Sequence, residues 1–296
     1  MRCLPCDGLI SKTASILCLV AVLFGVSIKY FRVLGPTPLG YINKFWTPHE
    51  ITLALNPNFK FVKVLRNEIT TLRDEFHGLR AIAMRPRSEY RSLEYPGAVK
   101  DDDQTVGWNT LYLRVGTVDT CLAKHFPKTM QILDQQLGTR VHTAFFSELN
   151  PGNDNTGRII PPHCGQLRGL FRVLTVLDGE KLPGKTSLAM QGALVDHDAC
   201  LTRFASECPE NVTQSPKSKT VRYNVGDVVV FNDFTCHWVE NYSAKSRIAL
   251  VINVDRPDLA TWRNTFTAWG SRLFARRKLR VFLEGSKKVC AMIEGV

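Results

Sequence analysis

Short apolar runs separated by turn residues occupy the middle of this chain and constrain its fold most. The runs are rich in Val, Ile, Leu and Phe, and Gly, Pro, Asn and Asp stand between them. They are Thr110–Val115, Val141–Phe146, Leu170–Leu177, Val221–Val225, Val228–Phe231 and Ile248–Val254. Segments of this length and composition are typical of an all-β sandwich or barrel. We therefore predict a mainly β domain over residues 106–259, with an insertion at about 185–219.

A helical pattern precedes the β region. Apolar residues within Phe61–Leu79 recur every three or four positions, which is the spacing of one helix face. These residues are Val62, Leu65, Ile69 and Leu72. Several prolines precede this stretch, so we expect residues 35–105 to form a helical and irregular lead-in to the β domain.

The N-terminus carries an uncharged apolar segment. Residues Thr13–Ile28 contain no charged side chain, and Lys12 and Lys29 flank them. Flanking lysines and aromatic residues extend the effective length of such a segment in a bilayer. We interpret residues 1–34 as a single transmembrane helix that anchors the chain, although a cleaved signal peptide is an open alternative.

Positive charge is concentrated near the C-terminus. The net charge is +11, and the stretch from Ser271 to Lys288 holds seven Lys or Arg and one acid, Glu284. Apolar residues are interspersed among these cations, so we expect residues 260–296 to form a basic amphipathic tail that can contact anionic lipid. No zinc-finger, helix-turn-helix or aromatic RNA-binding signature is present, and we do not expect a nucleic-acid partner.

The cysteines and sequons favour an oxidising compartment. Cys200 and Cys208 lie eight positions apart in a polar loop, and a glycosylation sequon follows at Asn211. A second sequon begins at Asn241. We therefore expect a single-pass membrane protein of the endoplasmic reticulum or Golgi whose β domain is lumenal. Whether Cys200 and Cys208 are bonded is left open.

One strand-turn-strand segment carries a histidine and an arginine. If a hairpin turn is centred on Tyr242, then His237 and Arg247 face each other across two antiparallel strands. Both side chains would project into the interior of the sheet, where a buried guanidinium is costly unless it meets an anion. A small dicarboxylate fits this pair, because one end can chelate a metal held by His237 while Arg247 clamps the other.

A second metal ligand is available upstream. His163 stands in the sequence Pro161-Pro162-His163-Cys164-Gly165. In a strand, residues 163 and 165 share a face, so Gly165 occupies the position where a carboxylate would complete a 2-His-1-carboxylate triad. The metal would then have two protein ligands. A zinc site that uses Cys164 or Cys236 is an alternative, but strand alternation turns both thiols away from the histidines.

These pieces together resemble the aspartyl/asparaginyl β-hydroxylase family, which includes bacterial lipid A hydroxylases. The similarity runs from about Gly107 to Leu259. The first part of the family pattern is matched by Ser147, Pro151-Gly152, Pro162-His163-Cys164-Gly165 and Arg172. The second part is matched by Gly226, Val228–Phe231, Asn232-Asp233, His237, Arg247, Asp255 and Pro257.

The resemblance implies a fold and a metal site. The expected fold is a double-stranded β-helix, also called a jelly roll or cupin-like fold, with flanking helices. By resemblance, His163 and His237 bind Fe(II) and form the catalytic set with Arg247. The family characteristically lacks the carboxylate ligand, so Gly165 agrees with its pattern.

The resemblance also implies a co-substrate site for 2-oxoglutarate. Arg247 with Ser147 would bind the distal carboxylate, and Arg172 would help to bind the end that chelates the metal. Asp233 would hold a metal-bound water by a hydrogen bond. Two departures bear on substrate preference: the acidic pair of the family is Asn232-Asp233 here, and Leu174 replaces a histidine often found at that position.

The implied activity is that of an Fe(II)- and 2-oxoglutarate-dependent dioxygenase that uses O₂. The expected substrate is an aspartyl, asparaginyl or prolyl side chain of a protein or peptide. A lipid acyl-chain hydroxylase of the same family is an alternative. So is a non-catalytic, cupin-like, membrane-tethered binding module that has kept the barrel.

Overall fold

The computed structural model describes most of the β domain and parts of its flanks. The described residues are 53–83, 108–151, 158–163, 170–179, 186–190, 219–233, 236–257, 265, 283–291 and 293–295. For residues 80–83, 161–163 and 186–190, the backbone alone is described.

Eleven strands and several helices make up the described fold. The strands are β1 (Leu53–Leu55), β2 (Trp108–Val115), β3 (Val118–Asp119), β4 (Val141–Leu149), β5 (Arg158–His163), β6 (Leu170–Asp178), β7 (Thr186–Met190), β8 (Lys219–Arg222), β9 (Val228–Asn232), β10 (His237–Asn241) and β11 (Arg247–Asp255). The α-helices are α1 (Lys60–Asn67), α2 (Ile69–Ala83) and α3 (Pro127–Gln131), with a 3₁₀ turn at Cys121–His125 and a π turn at Ile132–Gln136. Residues 283–291 are also helical.

The strands form two antiparallel sheets. The larger has seven strands in the order β1-β9-β6-β11-β4-β2-β3, and the smaller has four in the order β5-β10-β7-β8. Every strand pair is antiparallel. The predicted mainly β fold is thus confirmed, and the two-sheet arrangement is consistent with a jelly roll.

Alternating residues of the large sheet serve two separate cores. In β11, Leu250 and Ile252 pack with the helices, whereas Ala249 and Val251 face the small sheet. The inner cluster, as we call the second core, contains residues of both sheets. They are Phe145, Leu149, Ile160, Leu174, Val176, Tyr223, Val229, Phe231, Val239, Ala249 and Val251. Burial on both faces explains why the central strands read as nearly continuous apolar runs.

Residues of the lead-in and of the C-terminal segment both pack into the core of the β domain. Strand β1 pairs with β9, and the predicted helical face Val62, Leu65 and Leu72 is buried against the large sheet. The helical pattern is interrupted once, at Glu68, so that it forms two helices. At the other end, Cys290 is bonded to Cys121, although the two cysteines are separated by 169 positions.

The predicted hairpin between His237 and Arg247 is wrong. Strand β10 pairs with β5 and β7, whereas β11 pairs with β4 and β6, so the chain changes sheets between them. The Asn241 side-chain amide fixes this corner by donating to the carbonyls of Leu149, Asn150 and Lys245 at 3.0–3.2 Å. Asn241 is fully buried, so its sequon is not an exposed acceptor in the folded protein.

Several predicted features lie outside the described residues. These are the N-terminal anchor, Cys200, Cys208, the Asn211 sequon, Cys164, Gly165 and most of the basic stretch between Ser271 and Lys288. Among the helices that are described, none is long and apolar enough to cross a membrane.

Candidate active site

The two predicted metal ligands lie on neighbouring strands of the small sheet. β5 ends at His163 and β10 begins at His237, and the two residues are direct Cα partners in the antiparallel ladder. Residues opposed in this way lie on the same side of a sheet. The fold therefore brings together two histidines that are far apart in the sequence.

The imidazole of His237 is buried among inner-cluster residues. Only 1% of the residue is exposed, and its ring meets the ring of Phe231 edge-on at a centroid distance of 4.9 Å. Asp233 Oδ1 lies 3.7 Å from His237 Nε2. An acidic side chain thus stands next to the predicted ligand, as the resemblance implies. Its hydrogen bond to a metal-bound water stays a prediction.

Arg172 is engaged with its neighbours beside this histidine. Its Nη1 lies 2.7 Å from Asp233 Oδ1, and its Nε donates to Asn253 Oδ1 at 3.0 Å. The ion pair neutralises both charges within a largely buried environment. The predicted role of Arg172 at the chelating end of 2-oxoglutarate is untested. It would require the guanidinium to serve Asp233 and the ligand together.

Arg247 is the largest fully buried side chain among the described residues. Its Nε, Nη1 and Nη2 atoms are all buried, and none has a hydrogen-bond partner in the described part of the protein. Burial lowers the pKa of Arg247 from its usual value, and the neighbouring Tyr223 partly opposes this shift. A buried cation without a partner is costly, so this position favours an anionic ligand.

The large and small sheets bring Arg247 and His237 to the same interior space. Arg247 shares a strand face with Ala249, and His237 shares one with Val239. Ala249 and Val239 both belong to the inner cluster. The two predicted site residues therefore face one interior from opposing sheets, and not from the two arms of a hairpin.

Ser147 lies diagonally across from Arg247 on the inner face of the large sheet, because the direct partner of Arg247 is Leu149. It is buried and is the cross-strand partner of Ala249, two residues from Arg247. Trp108 Nε1 donates a hydrogen bond to Ser147 Oγ at 3.0 Å. Because the oxygen accepts this bond, the hydroxyl proton of Ser147 is directed elsewhere and can serve a carboxylate.

Two polar residues of this interior were not predicted from the sequence. Trp108 precedes the first predicted strand, and Tyr223 lies within a predicted one. Tyr223 is 3% exposed and belongs to the inner cluster, and its hydroxyl has no hydrogen-bond partner among the described residues. Tyr223 alternates with Val221 and Val225 along the strand, so the three share one apolar face, and a tyrosine on such a face is the signal that could have identified it.

A thiolate zinc site at the histidines receives no support. Cys236, which precedes His237, is disulfide-bonded and so does not offer a free thiol. Among the described side chains, no group of three or more His, Cys, Asp or Glu is arranged to hold a metal. The side chain of His163 is not among them. The donors described, one buried imidazole and one buried guanidinium, fit a ligand that bridges a metal and a cation.

A family model agrees with the motif pattern. The model of aspartyl/asparaginyl β-hydroxylases matches residues 65–193 of this chain. The predicted resemblance is confirmed. The match includes Ser147, His163 and Arg172, and it ends before Asp233, His237 and Arg247. It supports an oxygenase of the 2-oxoglutarate-dependent kind.

Solved structures with remote similarity include an alpha-ketoglutarate-dependent enzyme and a protein solved with 2-oxoglutarate. The alpha-ketoglutarate-dependent carbocyclase SnoK of nogalamycin biosynthesis aligns with a TM-score of 0.42 and 15% identity, over 70% of this chain and 80% of its own. HygX from Streptomyces hygroscopicus, solved with nickel and 2-oxoglutarate, aligns with a TM-score of 0.42 and 12% identity, over 75% and 88%. EctD from S. alaskensis aligns with a TM-score of 0.42 and 14% identity, over 69% of this chain and 73% of its own. These likenesses assign no residue a role. No curated protein sequence matches the chain.

Proposed function

We propose that this protein is an Fe(II)- and 2-oxoglutarate-dependent dioxygenase that hydroxylates an aspartyl or asparaginyl side chain, or a prolyl ring, of a protein or peptide. In this proposal His163 and His237 hold the iron. When bound, iron and 2-oxoglutarate supply the oxidising chemistry: one atom of O₂ enters a C–H bond, and the other leaves in succinate as 2-oxoglutarate loses CO₂.

The observation that carries the proposal is the buried guanidinium of Arg247. A cation whose three nitrogens are buried and have no hydrogen-bond partner among the described residues is a cost to the folded protein unless a ligand compensates for it. A carboxylate can accept two parallel hydrogen bonds from a guanidinium, and this geometry is among the strongest in proteins. Ser147 adds a hydroxyl donor on the adjacent strand.

The histidine pair supports assignment of the other end of the ligand. Because His163 and His237 are direct strand partners, both are positioned by main-chain hydrogen bonds and not by a flexible loop. Asp233, held by Arg172, stands beside His237 and would orient it or a metal-bound water. The apolar inner cluster would keep water away from a ligand held between these residues.

A lumenal location is part of the proposal. The bond between Cys121 and Cys290 supports folding in an oxidising compartment, where such bonds persist. The predicted N-terminal anchor would tether the domain to the membrane. A protein or peptide that passes through the same lumen is then an accessible substrate.

The test is a product assay on the full-length protein with Fe(II) and 2-oxoglutarate. Peptides that contain Asp, Asn or Pro and a lipid extract are incubated separately, and succinate and a mass gain of one oxygen are measured. We expect both products with a peptide, and none of either with His237→Ala. The control His77→Ala changes a partly exposed histidine paired with Asp178 and should retain turnover. Oxygen gain on lipid alone would favour the acyl-chain hydroxylase, and intact turnover in His237→Ala would remove the proposed site.

A further inference from the structure

Besides the Arg247 guanidinium, the Tyr223 hydroxyl is a polar group inside the inner cluster for which no hydrogen-bond partner is described. Like the Arg247 guanidinium, it is buried and has no hydrogen-bond partner among the described residues. The two groups also influence each other: burial raises the pKa of Tyr223, and the nearby charge of Arg247 opposes this rise. Two adjacent orphan groups in one interior point to one shared ligand.

The backbone holds Tyr223 in place from both sides. β8, which ends at Arg222, pairs with β7, and a turn follows in which Asp227 N donates to the carbonyl of Asn224. The carboxylate of Asp227 accepts from Asn224 N and from the side chain of Asn56, each within 2.8 Å. Gly226 permits this turn, because its φ of +97° is unfavourable for other residues. Tyr223 is therefore fixed in position before any ligand binds.

We propose that the Tyr223 hydroxyl donates a hydrogen bond to the same carboxylate that Arg247 and Ser147 bind. This inference rests on the proposed function. A carboxylate has two oxygens with about four acceptor sites. A bidentate guanidinium fills two of them and the Ser147 hydroxyl a third, so the Tyr223 hydroxyl completes the set. The Arg247 guanidinium and the Tyr223 hydroxyl then each gain the hydrogen-bond partner that they lack among the described residues.

The proposal predicts opposite effects on binding and on stability. Removal of a buried hydroxyl that has no hydrogen-bond partner among the described residues is expected to be neutral or stabilising in the protein without ligand. Removal of a donor to a charged carboxylate weakens binding by about 10–100-fold. A tyrosine with a purely structural role would show the reverse pattern: loss of stability without a specific loss of affinity.

The experiment is a titration of the full-length protein with 2-oxoglutarate and with 2-oxopentanoate, in the presence of Mn(II) and without oxygen. The second acid has the same chelating end and chain length but no distal carboxylate. We expect Tyr223→Phe to weaken 2-oxoglutarate binding about 10–100-fold, to leave 2-oxopentanoate binding unchanged, and to keep or raise the thermal unfolding midpoint without ligand. Tyr242→Phe, which removes the hydroxyl of an exposed tyrosine, should match the wild type in all three.

Each other result overturns a defined part of the account. Equal 2-oxoglutarate affinity in Tyr223→Phe and the wild type would overturn this inference alone. The same holds if both acids are weakened equally, since the effect would then not involve the distal carboxylate. Failure of the wild type to bind 2-oxoglutarate with metal would overturn the proposed function and this inference with it.

Discussion

His237 stands directly opposite His163 across the β5–β10 strand pair. Main-chain hydrogen bonds between the strands set this relationship, so it is present before any metal binds. Two ligands placed in this way should act as one unit, and each should be required.

We predict that His163→Ala and His237→Ala each lower the affinity for Co(II) by more than about 100-fold, since loss of groups outside the ligand set already costs about 10–100-fold. The double variant should bind Co(II) no more tightly than either single variant. Metal titration by absorbance tests this, with His77→Ala as the control. Wild-type affinity in either single variant would show that the histidine replaced there is not a ligand of this metal.

Asp233 should contribute to the stability of the folded protein through its ion pair with Arg172. It is 4% exposed and pairs with Arg172, so Asp233→Asn leaves a largely buried guanidinium without its counter-charge. We expect a loss of about 3 kcal/mol in the free energy of unfolding, measured in urea. The matched control is Asp74→Asn, an exposed carboxylate paired with Arg73, which should cost less than about 0.5 kcal/mol. Similar losses in the two variants would contradict the importance of the buried pair.

The Cys121–Cys290 bond should stabilise the domain strongly. It closes a loop of 169 residues and joins the C-terminal helix to the main core. In the chain-entropy view, a loop of this length adds up to about 5 kcal/mol. We expect Cys121→Ala/Cys290→Ala to unfold at a lower urea concentration than the oxidised wild type. An unchanged midpoint would show that the bond adds nothing to stability.

The two sequons should behave differently. Asn241 uses its side-chain nitrogen for three main-chain carbonyls and is fully buried, so a glycan there is incompatible with the fold. If the domain is lumenal, glycopeptide mass spectrometry of protein from eukaryotic cells should find a glycan at Asn211 and none at Asn241. A fully occupied Asn241 would contradict the structure of this corner.

The sequence predicts the elements of this fold better than their partners. The apolar runs identified β2, β4, β6, β9 and β11 to within a few residues, because each is buried on both faces or nearly so. The helical spacing likewise identified Val62, Leu65 and Leu72 as buried. Local patterns of this kind depend only on which face of an element meets the core.

Local sequence patterns do not predict which distant strands and cysteines pair with each other. The hairpin prediction failed because the Asn241 amide is satisfied by carbonyls of another strand end, which directs the chain into the second sheet. The opposition of His163 and His237 depends on the β5–β10 register, and the Cys121–Cys290 bond depends on where the C-terminal helix docks. The local pattern can place Tyr223 on an apolar strand face, but the surroundings of its hydroxyl depend on how the strands pack in the folded protein.

The most direct test of the central claim is the metal-dependent affinity of Arg247→Met for 2-oxoglutarate, measured beside the stability of the same variant. We expect affinity to fall by more than about 100-fold, since a buried charge-assisted pair is lost, while the unfolding midpoint without ligand is unchanged or higher. Arg114→Met is the control, because Arg114 is buried but paired with Asp119 and Asp134; it should lose stability and keep its affinity. Wild-type affinity in Arg247→Met would contradict the assignment of this guanidinium to the co-substrate.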